Sequence, residues 1–450
     1  MKKISVLLCA LILALSFTAC SNNKPSGNTE PQSDMYKFAV ISDSQLIPNP
    51  QSYTSVNLKA AFNAIKKENV DMVVFSGDIV EYGTEEAYEY YKSLENQYFP
   101  TSDTNRPEFL YVMGNHETYR PAGGAQNYDE SAERFEQFLG QERNVLKKLG
   151  DYYFIGISTE STELDGYFSP ETIAFAKEKI EESIAEDPTR PVFISAHMAP
   201  ADTVIWTEGG ANANAQITGA FDEYPQVVLL TGHTHAQVAS PKTIYQKDYT
   251  VLQSGAIAYT SLVSNTKFVA QPGTLSGNKP EGYDENPVGF ICEINKKTHE
   301  LTVHRKNFKL GISLNSDIVI KSYAKESFEY TDARKASDPK PTFAAGTEIT
   351  VEKDVMSATK YNAYLTLSAA SHPDYVEYYK VIVSDGDTEE EYWLYTDFFI
   401  GVTKMKKSVE LYIPLLSASK DYTLTVSAVS GWGTESDDKV STTIARTAFS

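Results

Sequence analysis

Residues 71–81 read DMVVFSGDIVE. Met72 to Phe75 form an unbroken apolar run, and Gly77, Asp78 and Glu81 follow it. A short continuous run of this kind, rich in β-branched and aromatic side chains, fits a strand buried on both faces. The same pattern recurs along the chain. Lys37–Ser42 (KFAVIS) leads to Asp43-Ser44-Gln45, and Phe109–Met113 (FLYVM) leads to Gly114-Asn115-His116-Glu117. Pro191–Ala196 (PVFISA) leads to His197, and Gln226–Thr231 (QVVLLT) leads to Gly232-His233-Thr234-His235. A sixth run, Tyr153–Ser158, has no such ending. Helical patterns lie between the runs. Leu58, Ala61, Phe62 and Ile65 share one helix face, and so do Ile173, Ala176, Ile180 and Ile184 behind Ser169 as N-cap and Pro170 at the first helical position. Thr84-Glu85-Glu86 puts acid in the first turn of another helix. Strands alternating with helices predict an α/β fold.

In such folds ligands bind beyond the carboxyl ends of the strands. If the strands are parallel, the five polar endings converge at one edge of the sheet. Four of the chain's seven histidines fall in these endings. Two carboxylates (Asp43, Asp78), an amide (Asn115) and three imidazoles (His197, His233, His235) suit Mn, Fe or Zn. They are too rich in nitrogen for Ca or Mg alone and lack the thiolates of a structural zinc site. With Gln45 the donors number seven, too many for one tetrahedral ion and right for two ions sharing a carboxylate. Two ions about 3.5–4 Å apart can hold the attacking and phosphoryl oxygens of an in-line displacement at phosphorus. Gly77, Gly114 and Gly232 allow the tight turns by which each strand hands over its ligand.

This ordered set resembles the calcineurin-like metallophosphoesterase superfamily, which includes purple acid phosphatases: D-x-H, G-D-x-x-[D/E], G-N-H-[D/E], an isolated His, then G-H-x-H. The resemblance spans roughly residues 36 to 315. It implies a four-layer α/β/β/α sandwich and a phosphomonoesterase or phosphodiesterase that uses a metal-bridging hydroxide. It also assigns roles. Asp43, Gln45, Asp78 and His235 would hold the first metal; Asp78 as bridge, Asn115, His197 and His233 would hold the second. His116 would contact the phosphate and protonate the leaving oxygen. One position departs, since Gln45 stands where the pattern has His. An amide oxygen is a weaker ligand than imidazole, which favours Mn or Fe over Zn, with Zn still open. Members with Gln here include enzymes resembling manganese-dependent ADP-ribose and CDP-alcohol pyrophosphatases. A nucleotide or sugar-nucleotide pyrophosphatase of the same fold is therefore one alternative, and a catalytically weak surface binding lipoprotein is another. Tyr119 and Arg120 follow the third motif directly and are candidate substrate contacts, Arg120 as a phosphate clamp. Glu81 and Glu117 would orient ligands or face solvent. Trp206, the stretch 209–216 and the loops 117–128 and 264–286 are candidates for lining the pocket and meeting the leaving group. His299, His304 and His372 fall outside the pattern and read as solvent-facing strand residues.

Outward from this core, the chain of 450 residues divides into several parts. Residues 1–19 combine Lys2 and Lys3, an apolar run from Ile4 to Leu15, and small residues before Cys20, as a secretory signal does. Phe17-Thr18-Ala19-Cys20 resembles a bacterial lipoprotein signal, which implies lipidation of Cys20 and an extracytoplasmic protein held to the cell envelope. Residues 20–35 read as a flexible tether, 36–321 as the α/β domain and 322–345 as a linker. Residues 346–450 show short alternating strands at about ten-residue spacing, an all-β immunoglobulin-like sandwich. Leu416 to Val429, with Tyr422 central, resembles the late strands of a fibronectin type III domain, in which the Tyr hydrogen-bonds back to the chain. Such a domain is a candidate for glycan or protein contact. The composition, 41% hydrophobic and 12% aromatic, supports a sizeable core and excludes wholesale disorder. A net charge of −20 argues against nucleic acid as partner. It leaves a phosphorylated small-molecule or cell-envelope substrate open, because bound metal reverses the local field. Three cysteines provide no disulfide framework, and Cys292 sits in an apolar run that marks it as structural.

Overall fold

The computed structural model describes residues 34–261 and 285–447. The leader, Cys20 and nearly all of the 264–286 loop lie outside the described residues. The elements run β1 (Met35–Ile41), α1 (Tyr53–Glu68), β2 (Met72–Phe75), α2 (Glu85–Tyr98), β3 (Glu108–Tyr111), α3 (Tyr128–Leu139), β4 (Val145–Leu149), β5 (Tyr152–Gly156), α4 (Pro170–Glu186), β6 (Val192–Ser195), β7 (Val227–Thr231), β8 (Ile244–Gln246) and β9 (Thr250–Gln253). Four more strands follow: β10 (Val288–Asn295), β11 (Leu301–Asn307), β12 (Ile312–Ser313) and β13 (Ile318–Ile320). Each of the six apolar runs is a strand. The helix starts follow the expected chemistry: the side chains of Ser52, Thr84 and Ser169 accept from the backbone N–H of Ser55, Ala87 and Thr172.

The strands form two sheets, as the four-layer expectation requires. The first has the order β12-β11-β10-β1-β2-β3, with β13 paired to β11; the second has the order β4-β5-β6-β7-β9-β8. β1, β2 and β3 run parallel, as do β5, β6, β7 and β9. Strand alternation sorts the side chains between layers. Phe38, Val40, Met72 and Val74 of the first sheet meet Phe154, Phe193, Val228 and Leu230 of the second in one buried core. Phe38 lies 5.0 Å from Phe154 and 5.1 Å from Phe193, both edge-on. The alternate residues Ala39, Ile41, Val73 and Phe75 face outward into a core with α1, α2 and α3. Tyr153, Ile155, Val192 and Ile194 do the same with α4. The layers are therefore α/β/β/α. The five polar endings converge from two facing sheets, which corrects the expectation of a single sheet edge.

Beyond residue 345 the chain is all β. β14 (Thr350–Ser357), β15 (Lys360–Ser368) and β18 (Ser408–Ser417) make a three-stranded antiparallel sheet; β17 (Glu389–Tyr395), β16 (Val376–Ser384), β19 (Tyr422–Ser430) and β20 (Val440–Ile444) make a four-stranded one. Tyr361, Leu365 and Ile413 of one sheet pack on Val381, Leu424 and Val426 of the other. The Tyr422 hydroxyl accepts from the Ser417 backbone N–H at 3.0 Å, a bond back to the chain five residues upstream. The sandwich is packed against the α/β layers: Tyr375, Tyr395 and Phe398 belong to the same buried cluster as the inter-sheet core. The intervening segment, read as a linker, is also tied down. Gln246 Oε1 accepts from Tyr330 N at 3.0 Å, and Tyr323 is buried. Cys292 is buried within β10, and burial pushes its thiol pKa well up. Among the described residues no helix is long and apolar enough to cross a membrane.

Candidate metal centre

The site lies where β1, β2 and β3 of one sheet and β6 and β7 of the other end. Each polar group sits just past its strand in a turn, and the turns are stitched together. Asp43 N donates to Gly77 O at 3.0 Å, His197 Nδ1 lies 2.7 Å from Ser76 O, and Gly232 N donates to His197 O at 2.9 Å. Ser76 and Ser195 join the two sheets through their hydroxyls at 3.0 Å. The backbone is strained at the same places. Asp43, Gln45, Asp78, His233 and His235 all have positive φ, between 40° and 70°. This conformation is uncommon for residues with a Cβ and persists only where surroundings over-determine it.

The side chains meet in a buried cluster. Asp43, Asp78 and His235 each offer a donor atom within 4.8 Å of the others. His235 Nε2 lies 3.1 Å from Asp43 Oδ1, and His197 Nε2 lies 3.1 Å from Asp78 Oδ2. Three buried polar atoms in this cluster, Asp43 Oδ1, Asn115 Oδ1 and His197 Nε2, make no well-directed hydrogen bond, although an imidazole or carboxylate atom stands 3.1 Å from two of them. Buried polar atoms are almost always satisfied, so three orphans in one cluster need a partner of another kind. The histidines are prepared for one. Nδ1 of His197, His235 and His116 faces a backbone oxygen, of Ser76, Tyr259 (3.0 Å) and Glu81 (3.2 Å) respectively. Donation from Nδ1 to a carbonyl fixes the tautomer and leaves the Nε2 lone pair for the site. Gln45 lies between two of these rings, its amide nitrogen 3.0 Å from His116 Nε2 and 3.3 Å from His235 Nε2. Turning the amide over would present Oε1 at the same place, as a cation requires. The donor set therefore fits divalent metal.

Charge supports the same conclusion. Burial alone would raise the pKa of Asp78, but the imidazoles of His197 and His116 hold it well below the usual carboxylate range. Burial likewise opposes protonation of the two histidines, yet Asp78 outweighs it. His197 is pushed up to about 10 with help from Asp43, and His116 up to about 9 with help from Glu81. Cations at the site would take the place of these protons. Glu117 sits beneath. Its carboxylate accepts from the backbone N–H of Ile79 (2.7 Å), Gly114 (2.7 Å), Asp78 (3.1 Å) and Val80 (3.3 Å). Burial and the Asp78 charge push its pKa up to about 7, against the pull of those N–H groups. Glu117 thus fixes the turns that carry Asp78 and Asn115.

The remaining candidates divide. His233 donates its backbone N–H to Asp43 Oδ2 at 3.0 Å, and its ring lies 5.1 Å from that of His197. Its Nε2, however, turns toward Asp165 Oδ1 at 3.5 Å. Tyr119 reaches the site: its hydroxyl accepts from Asn115 Nδ2 at 2.9 Å and its ring is 4.6 Å from His116. Arg120 is exposed, and its backbone is engaged in the turn that follows. Trp206 is bonded through its carbonyl to Asn212, while Asn214 donates to the Asp165 carbonyl at 2.9 Å, so the 209–216 stretch touches the site through Asp165. Sequence reasoning missed Asp165 and Tyr259, the latter with its ring 4.3 Å from that of His235. Neither stands beside a motif, so no local signal marked them. The three outlying histidines are corrected. Each is at most partly exposed, and only His304 is on a strand. His299 lies 3.4 Å from Asp187, His304 2.9 Å from Asp317 and His372 3.2 Å from Asp338. In a chain with 60 acidic residues an imidazole readily finds a carboxylate.

Residues 36–237 match the family described as calcineurin-like phosphoesterase. The chain therefore carries a calcineurin-like phosphoesterase domain, and with the Asp43, Asp78 and His235 group this supports a metal-dependent phosphoesterase. No curated protein sequence matches it. Among solved structures, the chain aligns with the fibronectin type III domain of human collagen alpha-1(XX) over 24% of this chain and 93% of that one, at 16% identity and a TM-score of 0.16. It aligns with the Clostridium perfringens spore cortex lytic enzyme SleM over 92% and 99%, at 9% identity and 0.18. A glycosyl hydrolase family 2 member from Bacteroides cellulosilyticus is matched over 91% of this chain and 62% of that one, at 9% identity and 0.22. At these scores the alignments say nothing of the fold.

Proposed function

We propose that the protein is a dinuclear metal-dependent phosphoesterase, acting on a phosphorylated small-molecule or cell-envelope substrate outside the cytoplasm of a bacterium and anchored through lipid on Cys20. The observation that carries this reading is the group of orphaned buried atoms, Asp43 Oδ1, Asn115 Oδ1 and His197 Nε2, beside Asp78. Asp43, Gln45, Asp78 and His235 would hold one divalent ion; Asp78, Asn115, His197 and His233 would hold the other. Mn or Fe is favoured by Gln45, with Zn open. The ions would supply positive charge to activate water and to hold phosphoryl oxygens.

The chain's own residues do the rest. His116 is only partly buried at the rim and is fixed through Nδ1 to Glu81, so its Nε2 can hold or deliver a proton at the leaving oxygen. Tyr119 holds the Asn115 amide so that its oxygen faces the cluster. The C-terminal sandwich, three strands against four with Tyr422 bonded back, supports a fibronectin type III-like reading, and such a domain would serve glycan or protein contact.

The test is metal analysis of the soluble form beginning near Ser33, with a panel of mono-, di- and pyrophosphoesters. Asn115→Ala and His197→Ala should each lower turnover by more than about a hundredfold, beyond what loss of an outer contact costs, while leaving the fold intact. Unchanged turnover in either variant overturns the assignment. Gln45 favours one second reading, a nucleotide or sugar-nucleotide pyrophosphatase. Faster hydrolysis of ADP-ribose or CDP-alcohols than of simple bis-esters, in Mn, would select it.

A further inference from the structure

A second feature lies away from the metal centre, where β8, β11 and the 322–345 segment meet the sandwich. A cavity of about 700 Å³ opens there, and its wall includes two arginines, Arg305 and Arg334. Arg305 is only 5% exposed. All its donors go to neutral oxygens: Nε to Ser316 O at 2.9 Å, Nη1 to Ala239 O at 3.1 Å and Ser240 O at 3.3 Å, and Nη2 to Ser316. Arg334 donates from Nη2 to Ile244 O at 2.8 Å and lies over the rings of Tyr330 (4.8 Å) and Trp432 (5.0 Å). Its Nε is buried with no hydrogen-bond partner, and nothing accepts from its Nη1.

Among the described residues neither guanidinium has a carboxylate at ion-pair distance, although the chain has 60 acidic residues to draw on. The acids of the wall are turned to other partners. Asp317 faces His304 Nδ1 at 2.9 Å, and Asp374 accepts from Asn315 Nδ2 at 2.6 Å. A buried and a half-buried cation side by side, with no carboxylate at ion-pair distance, are a costly arrangement unless something else supplies the charge. Burial, and after it the Arg305 charge, lower the Arg334 pKa to about 10.

We propose that this cavity binds a small anion bearing a carboxylate or phosphate group, with Arg334 supplying hydrogen bonds and Arg305 a fixed positive field. With Nη2 held by Ile244 O, the Nη1 hydrogens of Arg334 remain to meet an oxygen of either group. The volume and the hydroxyls of Ser313, Ser316 and Thr403 admit a molecule of sugar size, larger than a bare ion. The site is independent of the metal centre.

The test uses the full soluble chain after chelation, so that phosphate finds no metal. Titrating inorganic phosphate in one arm and glucuronate in the other, by calorimetry, should show saturable millimolar or tighter binding in at least one. In a Trp206→Phe, Trp393→Phe background, Trp432 emission should change with the same midpoint. Arg334→Gln should weaken binding at least tenfold, and Asp374→Asn should tighten it by removing a like charge. Binding of phosphate alone assigns a phosphorylated ligand, and binding of glucuronate alone a carboxylated one. No saturable response in either arm overturns the proposal, as does equal affinity in Arg334→Gln. If Arg334→Gln does not fold, Asp374→Asn decides, and unchanged or weaker binding in that variant overturns it.

Discussion

A carboxylate that accepts four backbone N–H groups from two separate turns determines where both turns go. Glu117 does this for residues 78–80 and 114, and so places Asp78 and Asn115 without facing the cluster itself. Its neighbour His116 takes the opposite role, with its backbone N–H on Asp78 Oδ1 at 2.9 Å and its ring at the rim. Glu117→Gln keeps the shape but swaps one acceptor oxygen for an NH₂ that confronts the same donors. Leaving buried N–H groups unmet costs about 1–3 kcal/mol each. With two N–H groups on each oxygen, the variant should lose roughly 2–6 kcal/mol in urea unfolding at pH 7 and bind Mn at least tenfold more weakly. Wild-type stability together with wild-type Mn affinity would show that Glu117 is not what fixes the turns.

The turns owe their form to small residues as much as to Glu117. At Gly114 a Cβ would overlap Asp78 Oδ1 and the His197 ring, so the β3 turn can approach the cluster only as glycine. Gly114→Ala should therefore push Asp78 and His197 apart. Its expected signature is loss of Mn binding by calorimetry with an unfolding midpoint close to wild type; retained binding would refute the close approach. The elements themselves were legible because β1, β2, β3, β5, β6 and β7 are buried on both faces and read as unbroken apolar runs. Helix α3 was passed over although Ala132, Phe135 and Leu139 line its buried face behind Asn127 as N-cap. β4, reading VLKKL, hides behind its lysines at the edge of its sheet. In the site, the residues beside motifs were legible from order and spacing. Asp165 and Tyr259 were not, because long-range packing alone brings them to His233 and His235. That the five endings come from two sheets was hidden for the same reason: a parallel strand's sequence does not name its neighbour.

At the scale of the whole molecule the sandwich is joined to the metal-ligand loop. Gln237, two residues past His235, donates to the Tyr375 hydroxyl and lies 3.3 Å from Glu377 Oε1. Asn307 donates to Phe399 O at 3.0 Å in the same interface. Burial pushes the Glu377 pKa up to about 7, above the 4.5 of an ordinary Glu, and the Lys242 charge and the Gln237 amide only partly offset it. The sign follows from proton counting. Below pH 4.5 both folded and unfolded chains hold the proton. Between about 4.5 and 7 the unfolded chain has released it and the folded chain has not, so stability falls as pH rises. Above 7 both are ionised and the loss is complete. The full window corresponds to about 3 kcal/mol, and less here because Glu377 is only partly buried. Glu377→Gln removes the titration and keeps an oxygen for Gln237. Its stability relative to wild type, from urea unfolding, should therefore rise between pH 4.5 and 7 and stay level above 7. A difference that is flat across that window, or that falls, would mean that Glu377 is ionised in the folded protein and that the sandwich interface carries no buried proton.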